Sequence, residues 1–342
     1  MSRKFDFMNE LKENTHYNNL IETIGSVYNS AKQTVAKAVN VEMLNAYWNI
    51  GKFIIEFEQK GKIKAEYGEK LLENLSADLK IKYGKGFSRS NLSYMRLFYL
   101  KYPIRETVSH KLTWSHYFEL LKVDNNSSRE FYQNQAILEN WTVRELKRQK
   151  KTGLFERLAL SKDKENVLKL SKEGHQIQSA SDLIRTPYVF EFLNIPEHSL
   201  YTENDIEKAI INNLQSFLLE LGKGFAFIGR QQRITLNNRH YFVDLVFYHT
   251  KLKCYILIDL KIGEVVHENI GQMKLYLGYY ESEINDKTDN QPIGIILSQE
   301  KDDIMVKYAM LNDTSKLIVS KYQLYLPEID ELKNRVREIM EK

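Results

Sequence analysis

Two acidic residues and one lysine near the C-terminal end of the chain have the types and spacing that metal-assisted phosphodiester cleavage requires. Asp244 lies in the strand-like run of residues 241–249, and Asp259 and Lys261 close the run of residues 252–261. Two carboxylates can hold Mg²⁺ through their oxygen atoms. A lysine two residues further along can assist a water molecule at such an ion. The three residues therefore define a candidate site.

Two neighbouring strands are needed to position these side chains. Residues i and i+2 of a strand point to the same face, so Asp259 and Lys261 project together. Residues 255–258 before them are nearly all apolar, which is typical of a strand buried on both faces. The short turn at residues 249–251 allows the strand of Asp244 to pair with this strand as a hairpin. The pattern predicts that the three side chains converge.

The acidic-x-Lys triplet is not specific by itself. It also begins at other positions that lie within amphipathic helical patterns typical of a solvated face, among them Glu10, Asp78, Glu145 and Glu331. Only the copy at Asp259 ends an apolar strand-like run with a second carboxylate upstream. From this context alone, a metal site and a structural ion pair are equally good interpretations, because a buried charge must be paired or metal-bound.

Length and composition limit the class of protein. The 342 residues, 43% hydrophobic and 27% charged, allow two globular domains with a sizeable core. Cys254 is the only cysteine, which excludes an intramolecular disulfide and a cysteine-cluster zinc site and favours a reducing, cytoplasmic compartment. The N-terminus lacks the apolar run of a signal peptide, and no stretch approaches about 18 uninterrupted apolar residues, so we expect no membrane span.

The charge is unevenly distributed along the chain. Residues 60–160 contain 20 Lys and Arg against 11 Asp and Glu, whereas residues 161–342 contain 23 against 27. A basic middle followed by an acidic, carboxylate-bearing part fits a nucleic-acid grip next to a metal site. The alternative is a solvated basic surface.

Part of the basic segment resembles a helix-turn-helix unit. Apolar spacing predicts helices over residues 17–59 and 69–83, and Gly84 and Gly86 end the second helix. Ser88 is a good N-cap for the next helix. The outline is that of a helix-turn-helix, although an ordinary αα-hairpin has the same pattern. The candidate DNA-binding residues of this helix are Arg89, Asn91 and Arg96.

A basic ridge follows further along the chain. Residues 142–145 form a capping box that opens a helix predicted to reach residue 160. Four cations recur on one side of it at three- and four-residue steps: Arg144, Lys147, Arg148 and Lys151. Such a ridge can lie along phosphates and make binding salt-dependent. An exposed face without a ligand is an equally good interpretation.

The pattern then changes to alternating helices and strands. We predict a helical, basic, DNA-binding domain over residues 17–160, a polar linker over 161–185 and an α/β domain over 186–342. The order of the α/β core is a helix from Thr202, three strands, a helix and a strand, and further elements follow.

This order and the Asp244…Asp259-Leu-Lys261 spacing resemble the PD-(D/E)XK nuclease superfamily. More specifically, the chain resembles the YhcG family of nucleases, also called DUF1016. The matching segments cover residues 20–330, and they include residues 47–51, 83–88, 112–117, 141–146, 221–227, 244–249, 259–261 and 271–273.

The resemblance implies a restriction-endonuclease-like core, a mixed sheet flanked by helices, behind an all-α N-terminal domain that binds DNA. It implies that Asp244 and Asp259 hold Mg²⁺, with Mn²⁺ as the alternative, and that Lys261 is the active-site lysine. It further implies that Glu207 joins the metal site and that Gln272 lies near the scissile phosphate. A solvated carboxylate and a simple helix-surface residue remain the alternatives for the last two.

The resemblance leaves several points open. The family usually has Glu-Leu-Lys where this chain has Asp259-Leu-Lys, and an aspartate is one methylene shorter, so metal spacing or preference can differ. DNA is the expected substrate and RNA the alternative. A nucleic-acid-binding protein with little or no turnover and a nuclease that depends on a partner are further hypotheses. One active site cuts one strand at a time, so cutting both strands favours a homodimer or a larger symmetric assembly.

Overall fold

The computed structural model describes residues 2–59, 70–104, 108–160, 162–183, 187–196, 200–300, 302, 304, 306 and 316–341; of residues 2–15 and 181 only the backbone is described. The chain forms two compact units, Met1–Asp124 and Asn125–Lys342. The boundary between these two compact units, after Asp124, differs from the domain limits predicted at residues 160 and 186. Those limits stay a prediction. The helix predicted over residues 304–311 lies mostly outside the described residues.

The first unit is helical where it is described. Its helices are α1 (Ser2–Gln59), α2 (Leu71–Tyr83), α3 (Arg89–Lys101) and α4 (Trp114–Leu120). The hydroxyl of Ser88 accepts from the backbone N–H of Asn91 at 3.1 Å and caps α3, as predicted. Gly84, with φ of 88°, ends α2. A Cβ at Gly51 would lie 2.0 Å from the carbonyl oxygen of Met95, so α1 and α3 approach this closely only at a glycine.

The two ends of α1 have different surroundings. From Leu44 onward one face of the helix enters the core of the unit, where Ile54 packs against Leu92 and Met95 of α3, while Phe53 on another face is exposed. Between residues 17 and 39 its large apolar side chains are more than half exposed. The apolar spacing that predicts this helix therefore matches a buried face only over its second half.

The second unit is built on a sheet of six strands. The sheet is mixed, as predicted. Its strands are β1 (Tyr188–Val189), β2 (Phe225–Leu236), β3 (Arg239–His249), β4 (Cys254–Glu264), β5 (Ile293–Glu300) and β6 (Lys316–Gln323), in the order β1-β6-β5-β4-β3-β2. Strands β4, β5, β6 and β1 run parallel, and β2 and β3 are antiparallel to their neighbours. Its helices are α5 (Asn126–Glu139), α6 (Val143–Lys151), α7 (Leu154–Ala159), α8 (Lys164–Glu173), α9 (Glu203–Asn212), α10 (Leu214–Leu221), α11 (His267–Tyr279) and α12 (Ile329–Glu341).

Helices cover both faces of this sheet. On one face Ile206 of α9 and Phe217 of α10 pack against side chains of β3 to β6. On the other face Met273 and Leu277 of α11 pack against Val246 of β3 and its neighbours. The centre of the sheet is buried on both sides, which explains the apolar run that precedes Asp259.

The helix predicted to continue to residue 160 is interrupted. Thr142 and Glu145 form the predicted capping box at the start of α6, but α6 ends at Lys151. Gly153 has φ of 62°, which breaks the helical path, and α7 begins one residue later. A Cβ at Gly153 would lie 2.8 Å from Ile329 Cδ1, so the turn packs closely against α12.

Strands β2 and β3 extend well beyond their neighbour β4. They pair with each other from Phe225 to Leu236, whereas β3 pairs with β4 only from Leu245 to His249. The hairpin closes at Asn237 and Asn238, whose φ angles of 46° and 61° fit the two-residue turn that matches strand twist. We call residues 230–243 the β2–β3 ribbon. Its base adjoins the predicted site.

Two further findings bear on the sequence-based expectations. None of the helices in the described ranges is long and apolar enough to cross a membrane. Cys254 is buried at the start of β4, where it packs as a small core side chain, as expected.

Candidate active site

Asp244 and Asp259 lie opposite each other where β3 and β4 separate. The last paired residues are Leu245 and Ile258, and the next position on each strand is one of the two aspartates. Instead of a backbone ladder, Asp244 Oδ2 accepts the backbone N–H of Leu260 at 2.8 Å. The structure therefore brings the two carboxylates together as the hairpin pattern predicts.

Asp259 and Lys261 form a buried ion pair beside this fork. Lys261 Nζ lies 2.8 Å from Asp259 Oδ2, and Asp259 is 2% exposed. Burial, followed by the charge of Asp244, raises the pKa of Asp259 to about 7, against the lowering effect of Lys261. For Lys261 burial opposes the charged form, but the neighbouring carboxylates outweigh it and raise its pKa. The ammonium is therefore held charged next to the two aspartates.

A second carboxylate restrains this lysine. Glu203, in the first turn of α9, places Oε2 3.6 Å from Lys261 Nζ and accepts the backbone N–H of Ile262 at 3.2 Å. Glu203 was not predicted as a site residue, because acidic residues are common in the first turn of a helix. Its position fixes the end of β4 against α9.

Glu207 reaches the same place from α9, and an unexpected residue links it to Asp244. The amide nitrogen of Gln231 donates to Glu207 Oε2 at 2.6 Å and to Asp244 Oδ1 at 3.0 Å. Gln231 is opposite Asp244 on β2 and has φ of 47°, a conformation that L-residues rarely adopt. Burial raises the pKa of Glu207; its hydrogen bond to Gln231 opposes this rise and the charge of Asp244 adds to it.

Gln272 lies near the site through Tyr276. Its side-chain amide donates to the Tyr276 hydroxyl, which in turn donates to the carbonyl oxygen of Phe242 at 2.9 Å. Tyr276 is fully buried, and its pKa is raised mainly by burial, with contributions from Asp259 and Asp244. Tyr276 therefore connects α11 to the ribbon, as a packing residue within reach of both carboxylates. A role for Gln272 at the phosphate stays a prediction.

The donor set fits a hard divalent cation. Glu207 Oε1 is buried without a hydrogen-bond donor among the described residues, with Arg230 3.8 Å away, and Asp259 Oδ2 is buried against the Lys261 ammonium at 2.8 Å. Oxygen atoms of this kind are the ligands that Mg²⁺ and Mn²⁺ prefer. No three metal-binding side chains are already converged within the described residues. The Gln231 amide instead occupies the space between Glu207 and Asp244.

The predicted DNA-binding residues of α3 have partners within the first unit. Arg89 pairs with Glu73 at 3.1 Å on the surface, and Arg96 holds both oxygens of Glu58 at 2.9 and 2.8 Å. The Asn91 amide donates to the carbonyl of Gly86 at 2.6 Å and accepts from the Trp114 indole at 3.2 Å. These contacts give Asn91 and Arg96 a role in packing, and DNA binding by these residues stays a prediction.

The predicted ridge on α6 is divided between surface and core. Arg144, Lys147 and Lys151 are exposed. Arg148 is turned inward, where it binds both oxygens of Glu191 at 2.8 and 3.0 Å and donates to the carbonyl of Val189 at 3.2 Å. Most donors of Arg148 therefore already have partners, and phosphate binding by its exposed neighbours on α6 stays a prediction.

Arg148 belongs to a buried group of charges, which we call the Glu220 cluster: Arg148, Arg157, Glu191 and Glu220. Arg157 Nη1 lies 2.5 Å from Glu220 Oε1, and both side chains are fully buried. The same oxygen accepts the backbone N–H of Val189 at 3.0 Å, and Oε2 accepts from Arg148 and Arg157 at 3.4 Å. This cluster joins α6, α7 and α10 to β1.

Comparison with known proteins gives matches over most of the chain. Residues 181–337 match the family model described as the YhcG PDDEXK nuclease domain, and residues 23–157 match the DUF1016 N-terminal domain. The chain is 36% identical over 355 residues to the Escherichia coli (strain K12) protein named "Putative nuclease YhcG", covering 94% of each. Among solved structures, a repair endonuclease from Pyrococcus abyssi is 21% identical with a TM-score of 0.27, over 39% of this chain and 50% of that one.

Proposed function

Because this chain belongs to the YhcG family of PD-(D/E)XK nucleases, we propose that it is a metal-dependent endonuclease that hydrolyses phosphodiester bonds in DNA. The observation that carries this proposal is the fork between β3 and β4. There Asp244 and Asp259 face each other, Lys261 contacts Asp259, and the buried Glu207 Oε1 has no hydrogen-bond donor among the described residues. PD-(D/E)XK nucleases typically use divalent metal ions, and we propose Mg²⁺, with Mn²⁺ as a substitute.

Each side chain has a role in the proposed hydrolysis. Asp244 and Asp259, with Glu207, would hold the ion, which when bound polarises a phosphate oxygen and makes a water molecule more acidic. The Lys261 ammonium, restrained by Asp259 and Glu203, orients the attacking water and offsets the negative charge that grows on the phosphate. We propose that Gln272, whose amide donates to the Tyr276 hydroxyl, turns to donate to the same phosphate when substrate binds.

Aspartate at position 259 is compatible with this role. Asp259 directly follows the last residue of β4 that pairs with β3 and is itself paired with Ile296 of β5, and Asp244 accepts the backbone N–H of Leu260. The shorter side chain therefore faces a partner whose position is set by the backbone. We expect cleavage with Mg²⁺ and with Mn²⁺.

A cleavage assay with a matched control tests the proposal. Purified protein is incubated with supercoiled plasmid, linear duplex DNA and RNA, with Mg²⁺, Mn²⁺ or EDTA. We expect DNA cleavage that EDTA abolishes and that Asp259→Asn and Lys261→Met lack. Glu264→Gln, an exposed carboxylate on the same strand, should cleave normally. Cleavage that survives in Asp259→Asn would refute the site. Binding without cleavage of any substrate would favour the binding-protein hypothesis, and cleavage of RNA alone would replace DNA as the substrate.

We also propose that the exposed cations of α6 bind DNA. Their exposure, and the excess of Lys and Arg in residues 60–160, support this role. The triple variant Arg144→Gln, Lys147→Gln and Lys151→Gln should weaken DNA binding and reduce its salt dependence, since each lost phosphate contact lowers the slope by about one. Unchanged affinity in a salt titration would contradict it.

The wider role that we propose is restriction of foreign DNA in the cytoplasm by a symmetric assembly of this chain. Double-strand cleavage by one site per subunit requires two copies. Cells that express the protein should take up unmodified plasmid less efficiently than cells that express Asp259→Asn. Equal efficiencies would contradict the defence role without affecting the cleavage chemistry.

A further inference from the structure

The β2–β3 ribbon has one buried and one exposed face. Ile234 and Val243 belong to the core beneath α11, with Leu236 and Tyr241 packed against them. Because side chains alternate along a strand, the residues between these point the other way. The outer face carries four exposed side chains: Arg233, Thr235, His240 and Phe242. They form two cross-strand pairs, Arg233 with Phe242 and Thr235 with His240.

The charge of the ribbon differs from that of the sequence around it. Residues 230–243 contain three arginines and no acidic residue, whereas residues 161–342 as a whole contain 23 Lys and Arg against 27 Asp and Glu. A strand segment without carboxylates, directly next to a site with three of them, is complementary to a polyanion that must reach that site.

The outer face also exposes an aromatic ring. Phe242 is 45% exposed although it lies on a regular strand, opposite Arg233. The strand is fixed at this residue, because its carbonyl accepts from the Tyr276 hydroxyl at 2.9 Å. An exposed aromatic ring paired with an arginine on a rigid strand is the combination on which unpaired bases and their phosphates bind.

The outer face leads to the active site. Phe242 precedes Asp244 by two residues, about 7 Å along a strand. Gln231, which bonds Asp244 and Glu207, precedes Arg233 by the same interval. A nucleic-acid strand that lies on the Arg233–Phe242 pair therefore has its neighbouring phosphodiester near the carboxylates.

We propose that the outer face of the β2–β3 ribbon binds the substrate strand next to the scissile phosphodiester, with Arg233 on a phosphate and Phe242 stacked on an unpaired base. This inference rests on the proposed nuclease function, whose substrate it specifies as a strand that is unpaired near the cleavage point. Thr235 and His240, which contact each other at 3.0 Å, extend the same face away from the site.

A binding measurement tests the proposal without catalysis. A labelled 20-nucleotide oligodeoxythymidylate is titrated with the full chain in EDTA, and binding is measured by fluorescence anisotropy. Arg233→Gln should weaken binding about five-fold or more and lower the salt slope by about one. Phe242→Ala should weaken binding about five-fold or more with the salt slope unchanged, and should have no effect on an abasic strand of equal length.

Arg239→Gln is the matched control. It removes the same charge from the same hairpin, but Arg239 pairs with Leu236 and shares its side of the ribbon, away from Phe242. We expect less than a two-fold change. An equal loss in Arg239→Gln and Arg233→Gln would overturn the assignment to one face, and an equal loss in Phe242→Ala on abasic and normal strands would overturn stacking. Thermal unfolding of each variant should match the parent protein, because the substituted side chains are exposed.

Failure of this inference can be distinguished from failure of the nuclease proposal. If both outer-face variants bind as tightly as the parent protein, and the parent cleaves DNA while Asp259→Asn does not, the ribbon proposal is overturned and the nuclease proposal stands. Loss of binding in these variants while the parent protein cleaves nothing would support the ribbon and overturn the nuclease.

Discussion

Two groups of buried carboxylates in the second unit differ in how completely they are paired. In the Glu220 cluster both oxygens of Glu220 have donors, from Arg148, Arg157 and a backbone N–H. At the fork of β3 and β4, Asp259 and Glu207 are also buried, but among the described residues Glu207 Oε1 has no hydrogen-bond donor, and Asp259 shares its cation, Lys261, with Glu203. Burial alone therefore does not identify a functional acid.

The difference shows where stability and function are separated. Buried polar groups are nearly always hydrogen-bonded, so an incompletely satisfied one calls for an explanation. The Glu220 cluster is complete within the chain and holds helices to the sheet edge. Within the part of the chain that the structure describes, the active-site group is less completely paired and keeps repelling carboxylates close together, which suits the cation binding that we propose.

The largest effect should come from Asp259→Asn. Cleavage should fall on the order of 10³-fold, the scale of losing a principal electrostatic contact in a transition state. Although the variant also removes the partner of Lys261, thermal stability should stay equal or rise, because burial and Asp244 outweigh Lys261 and disfavour the ionised form of Asp259. Steady-state cleavage and calorimetry measure the two quantities. A large loss of stability would mean that this group resembles the Glu220 cluster after all.

The opposite profile is expected for Glu220→Ala. Removing one partner of a buried pair leaves Arg157 uncompensated and should cost about 3–5 kcal/mol of the free energy of unfolding. Cleavage per folded molecule should be unchanged well below the new melting temperature. Denaturant unfolding measures the loss of stability, and the cleavage rate per folded molecule measures activity. A reduced cleavage rate in fully folded Glu220→Ala would contradict a purely structural role for the cluster.

A smaller effect is expected for Glu207→Gln. The amide keeps the shape of the side chain but loses its charge, so the Mg²⁺ concentration for half-maximal cleavage should rise about ten-fold while excess Mg²⁺ restores most of the rate. The measurement is a Mg²⁺ titration of the initial rate. A normal midpoint with a reduced maximal rate would exclude Glu207 from metal binding.

The smallest effect concerns Glu156, which is intermediate between the two groups. Its oxygens accept from the hydroxyls of Ser128 and Tyr132 at 3.3 Å, yet burial raises its pKa. The folded protein holds this proton at a pH where the unfolded chain has lost it. The stabilisation is therefore complete below the unfolded pKa and is lost as the pH rises through the folded one. Unfolding of Glu156→Gln between pH 4 and 8 should show a weaker fall of stability with pH than the parent protein; an identical slope would contradict the assignment.

Local patterns determined how much the sequence could predict. The apolar run of β4 ending in charges placed Asp259 and Lys261 correctly, because strand periodicity fixes both burial and side-chain direction. The inward turn of Arg148 was not predictable, since its partners Glu191 and Glu220 lie 43 and 72 residues away. Gln231 was missed for another reason: nothing in the run of residues 229–233 signals a positive φ at a glutamine. The spacing of residues along a helix or strand predicts which side chains share a face. Segments distant in sequence determine which residues that face contacts.

The burial of Cys254 makes the protein suitable for site-specific labelling. It is the only thiol of the chain, it is 1% exposed, and burial raises its pKa to about 11, so little reactive thiolate forms at neutral pH. A cysteine placed on the ribbon, as in Thr235→Cys, would be the main target of a maleimide dye in the folded protein. Slow modification of Cys254 itself would report local unfolding of β4, and its rate would give the opening rate of the sheet beneath the active site.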